Sequence, residues 1–148
     1  MIYSLPARPA WDNLFPTFFF IMTGVLLGPL YISLFLNLGE DTKIQLTTVI
    51  GIGVLISAVG FALYVSALLG GVAESYQSGV NFLNSPGFWL RAALGWLLPM
   101  ILVLNAHLKR SMFSQTTFLV LFIMVFVGEI IGRELFYHAT IALKVASF

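Results

Sequence analysis

Four long stretches of this chain are apolar and nearly free of charge, and that pattern limits the fold more than any other feature. Leu14 to Leu38, Ile44 to Ala73 and Thr116 to Gly128 contain no Asp, Glu, Lys or Arg, and Phe88 to Leu108 contains only Arg91. About 20 mostly apolar residues in helical form cross a hydrocarbon layer of about 30 Å, with every backbone polar group satisfied inside its own segment. Soluble domains carry about 25% charged residues; here 9% of 148 residues are charged and 59% are hydrophobic. A transmembrane β-strand would alternate apolar and polar positions, and the run FLVLFIMVF does not alternate. The pattern predicts an all-α, polytopic transmembrane helical bundle with four spans, at about 14-38, 44-73, 88-108 and 116-137, after a polar segment 1-13.

Other classes fall away on charge and composition. A net charge of +1 offers no basic field for nucleic acid. The absence of cysteine excludes disulfides, thiolate chemistry and cysteine-ligated clusters in this chain. A cleavable signal peptide has an apolar core of about 7–15 residues; here the first apolar run is longer and follows the polar, proline-containing MIYSLPARPAWDN.

Along the chain, Pro16 and Pro29 fall in the first span, where a proline kinks the axis and frees a carbonyl. The second span is glycine-rich and either tilts or ends early at Gly70-Gly71. The segment Glu74 to Pro86 reads as a polar, turn-forming connection. The third span has Pro99 near its middle, and the tail after Tyr137 either extends the last helix or lies at the interface. Four spans put both termini and the 74-86 connection on one face. The Lys109-Arg110 pair in the opposite short loop favours termini outside, since positive loops mark the cytoplasm. Small residues four apart, Gly24 with Gly28 and Gly128 with Gly132, allow close helix contact; they pack the bundle or, alternatively, make a homodimer.

Ionisable residues inside a bilayer are costly and default to a functional reading. Following the spans back and forth, Glu74, Arg91, Glu129, Arg133, Glu134, Tyr137 and His138 all collect toward one face. Glu129 and Arg133 are four apart on one helical stripe and read either as a self-neutralised pair or as part of a site. Arg91 has no partner nearby in sequence and must find a carboxylate, a helix C-terminus or a ligand. Glu74 is either a site acid or a solvated loop acid. His107 and His138 are predicted at opposite ends of the bundle, too far apart to hold one haem. No metal site is expected.

At the fourth helix the residues Gly128, Glu129, Ile130, Ile131, Gly132, Arg133, Phe136 and Tyr137, in GEIIGRELFYH, resemble the C-terminal signature of the DmsC family, the membrane anchor subunits of dimethyl sulfoxide reductases. Phe20, Thr23, Gly28, Pro29 and Leu30 in the first span are similar to a second family pattern, and Trp89, Leu90 and Arg91 resemble the opening of the corresponding helix. The family has eight spans, of which these four resemble the C-terminal half; the histidine and acid of the N-terminal half have no counterpart here. The resemblance implies a subunit of the bacterial inner membrane that oxidises menaquinol in anaerobic respiration. Its electrons would go to an iron–sulfur subunit and on to a molybdopterin catalytic subunit, with no haem or iron–sulfur cluster in this chain. Arg91 would then orient a quinol oxygen, and Glu129 or Glu74 would accept a proton, with Arg133 and Tyr137 beside them. The alternative reading is a small proton-coupled transporter with its proton on Glu129. Such proteins often show internal repeats, which this sequence lacks.

Overall fold

Helix starts in this chain follow local signals, and the computed structural model describes residues 10–36, 38–108 and 113–138. The first helix, α1 (Phe15–Phe35), has Pro16 in its opening turn, where a missing N–H costs nothing. Asn13 Oδ1 accepts the Phe15 N–H at 3.0 Å, satisfying one of the orphan donors of that turn. The second, α2 (Glu40–Leu69), starts after Gly39 with Glu40 and Asp41 in its first turn, on the positive end of the helix dipole. It stops at Gly70, so the glycine pair ends the second span early.

The segment expected to be a polar turn is instead a third helix, α3 (Ala73–Asn84). Its buried residues Ser75, Ser78, Gly79 and Phe82 recur at helical spacing, while Tyr76, Gln77 and Leu83 are exposed. This buried stripe of small residues and Phe82 lies against α2; a Cβ on Gly79 would lie 3.0 Å from Leu69 Cδ2. The fourth, α4 (Pro86–Leu108), is continuous but widens into a π-helical stretch at Ala92–Leu97. The wide turn comes just before Pro99, which has no N–H for the preceding turn and whose ring pushes that turn's carbonyl aside. The last helix, α5, is Gln115–His138.

The described residues form five helices, and no strand occurs among them. Three of them, α1, α2 and α4, are long and apolar enough to cross a membrane by length and composition. At one end, Trp11 Nε1 donates to the Phe136 carbonyl at 3.2 Å and the Tyr64 hydroxyl donates to the Ala10 carbonyl at 3.0 Å. These bonds tie the chain before α1 to the end of α5 and to α2. At the other end, Gln115 Nε2 donates to the Ser33 and Leu34 carbonyls, each at 2.8 Å, taking up the unpaired end of α1.

Packing separates into two apolar clusters. Leu26, Ile50, Val54, Val103, Phe118 and Leu121 belong to the cluster toward the Gln115 end. Phe61, Tyr64, Leu68, Phe82 and Leu135 belong to the one toward the Trp11 end. Helices α4 and α5 touch through glycine: a Cβ on Gly128 would lie 2.8 Å from Gly95 Cα. The Gly128–Gly132 motif therefore packs inside the bundle, whereas Gly24 and Gly28 have no atom within 4 Å of where a Cβ would be and face outward. The Lys109-Arg110 loop and the tail, on which the orientation and the end of the chain were read, lie outside the described residues, as do residues 1–9.

Candidate functional site

Arg91 comes off the second turn of α4 and points into the bundle, where it is only 4% exposed. A guanidinium cannot shed its charge to escape such a place, so it needs partners. Its Nη2 lies 3.5 Å from Oε1 of Glu129 on α5, itself only 8% exposed. That contact is longer than the 2.7–2.9 Å usual for a charged N–H to carboxylate bond, so the pair is loose. Among the described residues, Glu129 is the one carboxylate at salt-bridge distance from Arg91. The rest of the cation is wrapped in aromatic faces, with its central carbon 5.1 Å from the Phe61 ring centroid, 5.2 Å from Trp96 and 5.9 Å from Phe19. Ring quadrupoles compensate part of the lost hydration.

Glycine makes this placement possible. A Cβ at position 132 would fall on the Arg91 guanidinium, so Gly132 is the gap through which Arg91 passes α5 to reach Glu129. On the other side of the carboxylate, Thr23 Oγ1 of α1 sits 2.6 Å from Glu129 Oε2. Three helices thus meet at one carboxylate. Among the described residues, the buried polar atoms Arg91 Nε, Trp96 Nε1 and Ser57 Oγ have no hydrogen-bond partner.

The pair forms the inner wall of a cleft enclosing about 460 Å³ of space, part of it open to the surroundings. Phe19, Phe20, Thr23, Arg133 and Tyr137 of α1 and α5 line it as well. Arg133 and Tyr137 are exposed. The Arg133 guanidinium lies over the Phe20 ring, 4.1 Å from its centroid, and Tyr137 meets Trp11 edge to face with centroids 5.6 Å apart. The cleft therefore has a buried charged back and a half-exposed cationic and phenolic rim.

Of the residues singled out from sequence, Arg91, Glu129, Arg133 and Tyr137 line one cleft. Glu74 does not: it sits in the first turn of α3, outside the lining. Of the two sequence readings of the 129/133 stripe, the self-neutralised pair is not the arrangement found among the described residues. Glu129 turns to Arg91 and Thr23, and Arg133 turns outward to Phe20. Thr23 entered the sequence reading only as part of the first-span family pattern, with no role at the site; its contact with Glu129 joins residues 106 apart, beyond the reach of any local spacing rule. The histidines occupy the two ends, His107 with Nε2 3.4 Å from Thr48 Oγ1 on α2 and His138 as the last residue of α5. Among the described residues no group of three His, Cys, Asp or Glu could hold a metal.

Comparison with known proteins bears on the whole chain. It is 28% identical over 156 residues to the anaerobic dimethyl sulfoxide reductase chain YnfH of Escherichia coli (strain K12), an alignment covering 98% of this chain and 52% of that one. The chain thus spans about half the length of that curated relative. No solved structure matches it. The family model for the DMSO reductase anchor subunit (DmsC) matches residues 1–139. With that match across most of its length, this multi-pass, all-helical membrane protein belongs to the DmsC family.

Proposed function

We propose that the chain is a quinol-oxidising part of the membrane anchor of a dimethyl sulfoxide reductase-type enzyme, and that the Arg91–Glu129 cleft receives the quinol head group. The observation that carries this reading is a permanently charged, buried arginine held by a single loose carboxylate at the back of an aromatic cleft. A structural ion pair gains most from short, fully satisfied bonds; here Arg91 Nε has no partner and the contact is 3.5 Å. Oxidation of a quinol releases two electrons and two protons. Arg91 N–H groups orient and stabilise the oxygen as it loses its proton. Glu129 is the general base, and Arg133 and Tyr137 at the rim face the route by which protons leave. The aromatic walls match a flat apolar ring, since Phe19, Phe20 and Phe61 line the space.

The chain's part in the complex follows from the same chemistry. The electrons leave to an iron–sulfur subunit docked at the cleft end and pass from it to a molybdopterin catalytic subunit. Menaquinol is the lipid-soluble reductant and the bacterial inner membrane the location, with the cleft end and both termini outside. Helix α5, 24 residues or about 36 Å long, makes a fourth span alongside the other three. The far half of the described bundle is apolar packing around Leu26, Val54, Val103 and Leu121, which favours a one-sided site over a transport path.

In the assembled enzyme, Arg91→Ala is expected to cut quinol-dependent reduction of the iron–sulfur partner by about 10²-fold or more, the size of effect seen when a preorganised charge-stabilising donor is lost, with the protein still inserted. Turnover equal to that of the unaltered protein would remove Arg91, and with it this site, from the reaction.

A further inference from the structure

Thr23 Oγ1 lies 2.6 Å from Glu129 Oε2 and 2.9 Å from the Phe19 carbonyl oxygen of its own helix. A hydroxyl has one proton to donate, and a charged carboxylate and a carbonyl are both acceptors. Thr23 cannot serve both as donor. With Glu129 ionised, the hydroxyl proton goes to the carboxylate, and 2.6 Å lies in the range of about 2.5–2.7 Å for such charge-assisted bonds. The Phe19 carbonyl is then left with its ordinary helical N–H. With Glu129 protonated, the acid becomes a donor, Thr23 accepts from it, and the Thr23 proton turns to Phe19. The carboxyl proton and the Thr23 hydroxyl proton then each have an acceptor. Ordinary helical threonines, such as Thr47 with the Lys43 carbonyl at 2.7 Å, end at the backbone bond.

We propose that Thr23 is a positioning residue for the proton on Glu129, a hydroxyl rotor that reverses its hydrogen bond as the carboxyl takes up and releases that proton. One proton arrives at Glu129 and the same number leaves it; the Thr23 O–H bond is never broken, and nothing is oxidised or reduced. The charged groups around Glu129 are Arg91 from α4, at 3.5 Å, and Arg133 one turn further along α5. Because Arg91 stays charged in both states, the carboxyl needs a partner that is equally good as donor and as acceptor. On α1, Thr23 supplies one, and a valine of the same shape would not. The inference deepens the proposed reading and rests on it for its use in turnover, but the carboxyl can be observed without any quinol.

The test is infrared difference spectroscopy of the full chain in lipid vesicles, titrated over the pH range in which circular dichroism shows it folded. A protonated-carboxyl C=O band should appear and should be lost in Glu129→Gln. In Thr23→Val, and in Thr23→Ala as a second variant, the acid loses its acceptor and the band should move to higher frequency. Thr23→Ser should restore its position. A band that stays in place in the folded Val or Ala variant overturns the proposal, as does the absence of any band that Glu129→Gln removes. Quinol turnover that survives Arg91→Ala would end the quinol reading and leave this band shift standing; an unmoved band would end the Thr23 rotor and leave the turnover result standing.

Discussion

At the scale of single residues, Arg91 and Glu129 must be understood together. Breaking a buried pair by removing one partner typically costs about 3–5 kcal/mol, because it strands a charge, whereas replacing both with apolar groups is often neutral. Glu129→Leu is therefore expected to lower the thermal unfolding midpoint in detergent, and Arg91→Leu added to it should recover most of the loss. A double variant no more stable than Glu129→Leu would show that the rings of Phe19, Phe61 and Trp96 alone can hold the cation. The sequence shows that these charges converge on one end, since the alternation of spans places them there. It does not show which ones touch. Residues 129 and 133 are one turn apart, yet Gly132 opens the flank of α5 to Arg91, and Glu129 turns to that side while Arg133 stays on the rim with Phe20. Pairings between distant helices, such as 23 with 129 and 91 with 129, depend on how helices rotate about their axes, and one sequence carries little information about that.

At the scale of elements, glycine decides which faces meet. Both Gly24/Gly28 and Gly128/Gly132 fit the same small-residue rule, and only the second is used within the described bundle. Gly128→Ala would drive a methyl against the backbone of Gly95, at 2.8 Å from its Cα, and neither helix can yield by rotating a side chain. Overpacking of this kind costs about 1–3 kcal/mol, read as a lower unfolding midpoint in detergent. Gly24→Ala and Gly28→Ala meet nothing within 4 Å and should change stability by less than about 0.5 kcal/mol. Equal losses at the three positions would contradict the assignment of α4 as the partner of the α5 motif. Spans were legible because uncharged length is a direct physical requirement of lipid. The amphipathic α3 was not, since Ser75, Ser78 and Gly79 on its buried stripe are small and look like a turn until Leu68 and Leu69 are seen packed against Gly79.

At the scale of the molecule, the two ends of the bundle differ in kind. One is closed by apolar packing and by Gln115 bonded to the end of α1. The other has a charged cleft, with Trp11 and Tyr64 holding the entering chain over it. The direct test of the account is photolabelling with an azido-menaquinone analogue in membranes, followed by peptide mapping. The label is expected on the α1 segment around Phe19, Phe20 and Thr23 and on the α5 segment from Glu129 to Tyr137, with loss of both in Arg91→Ala. Labelling confined to the Gln115 end or to α3, or cleft labelling indifferent to Arg91, would contradict it.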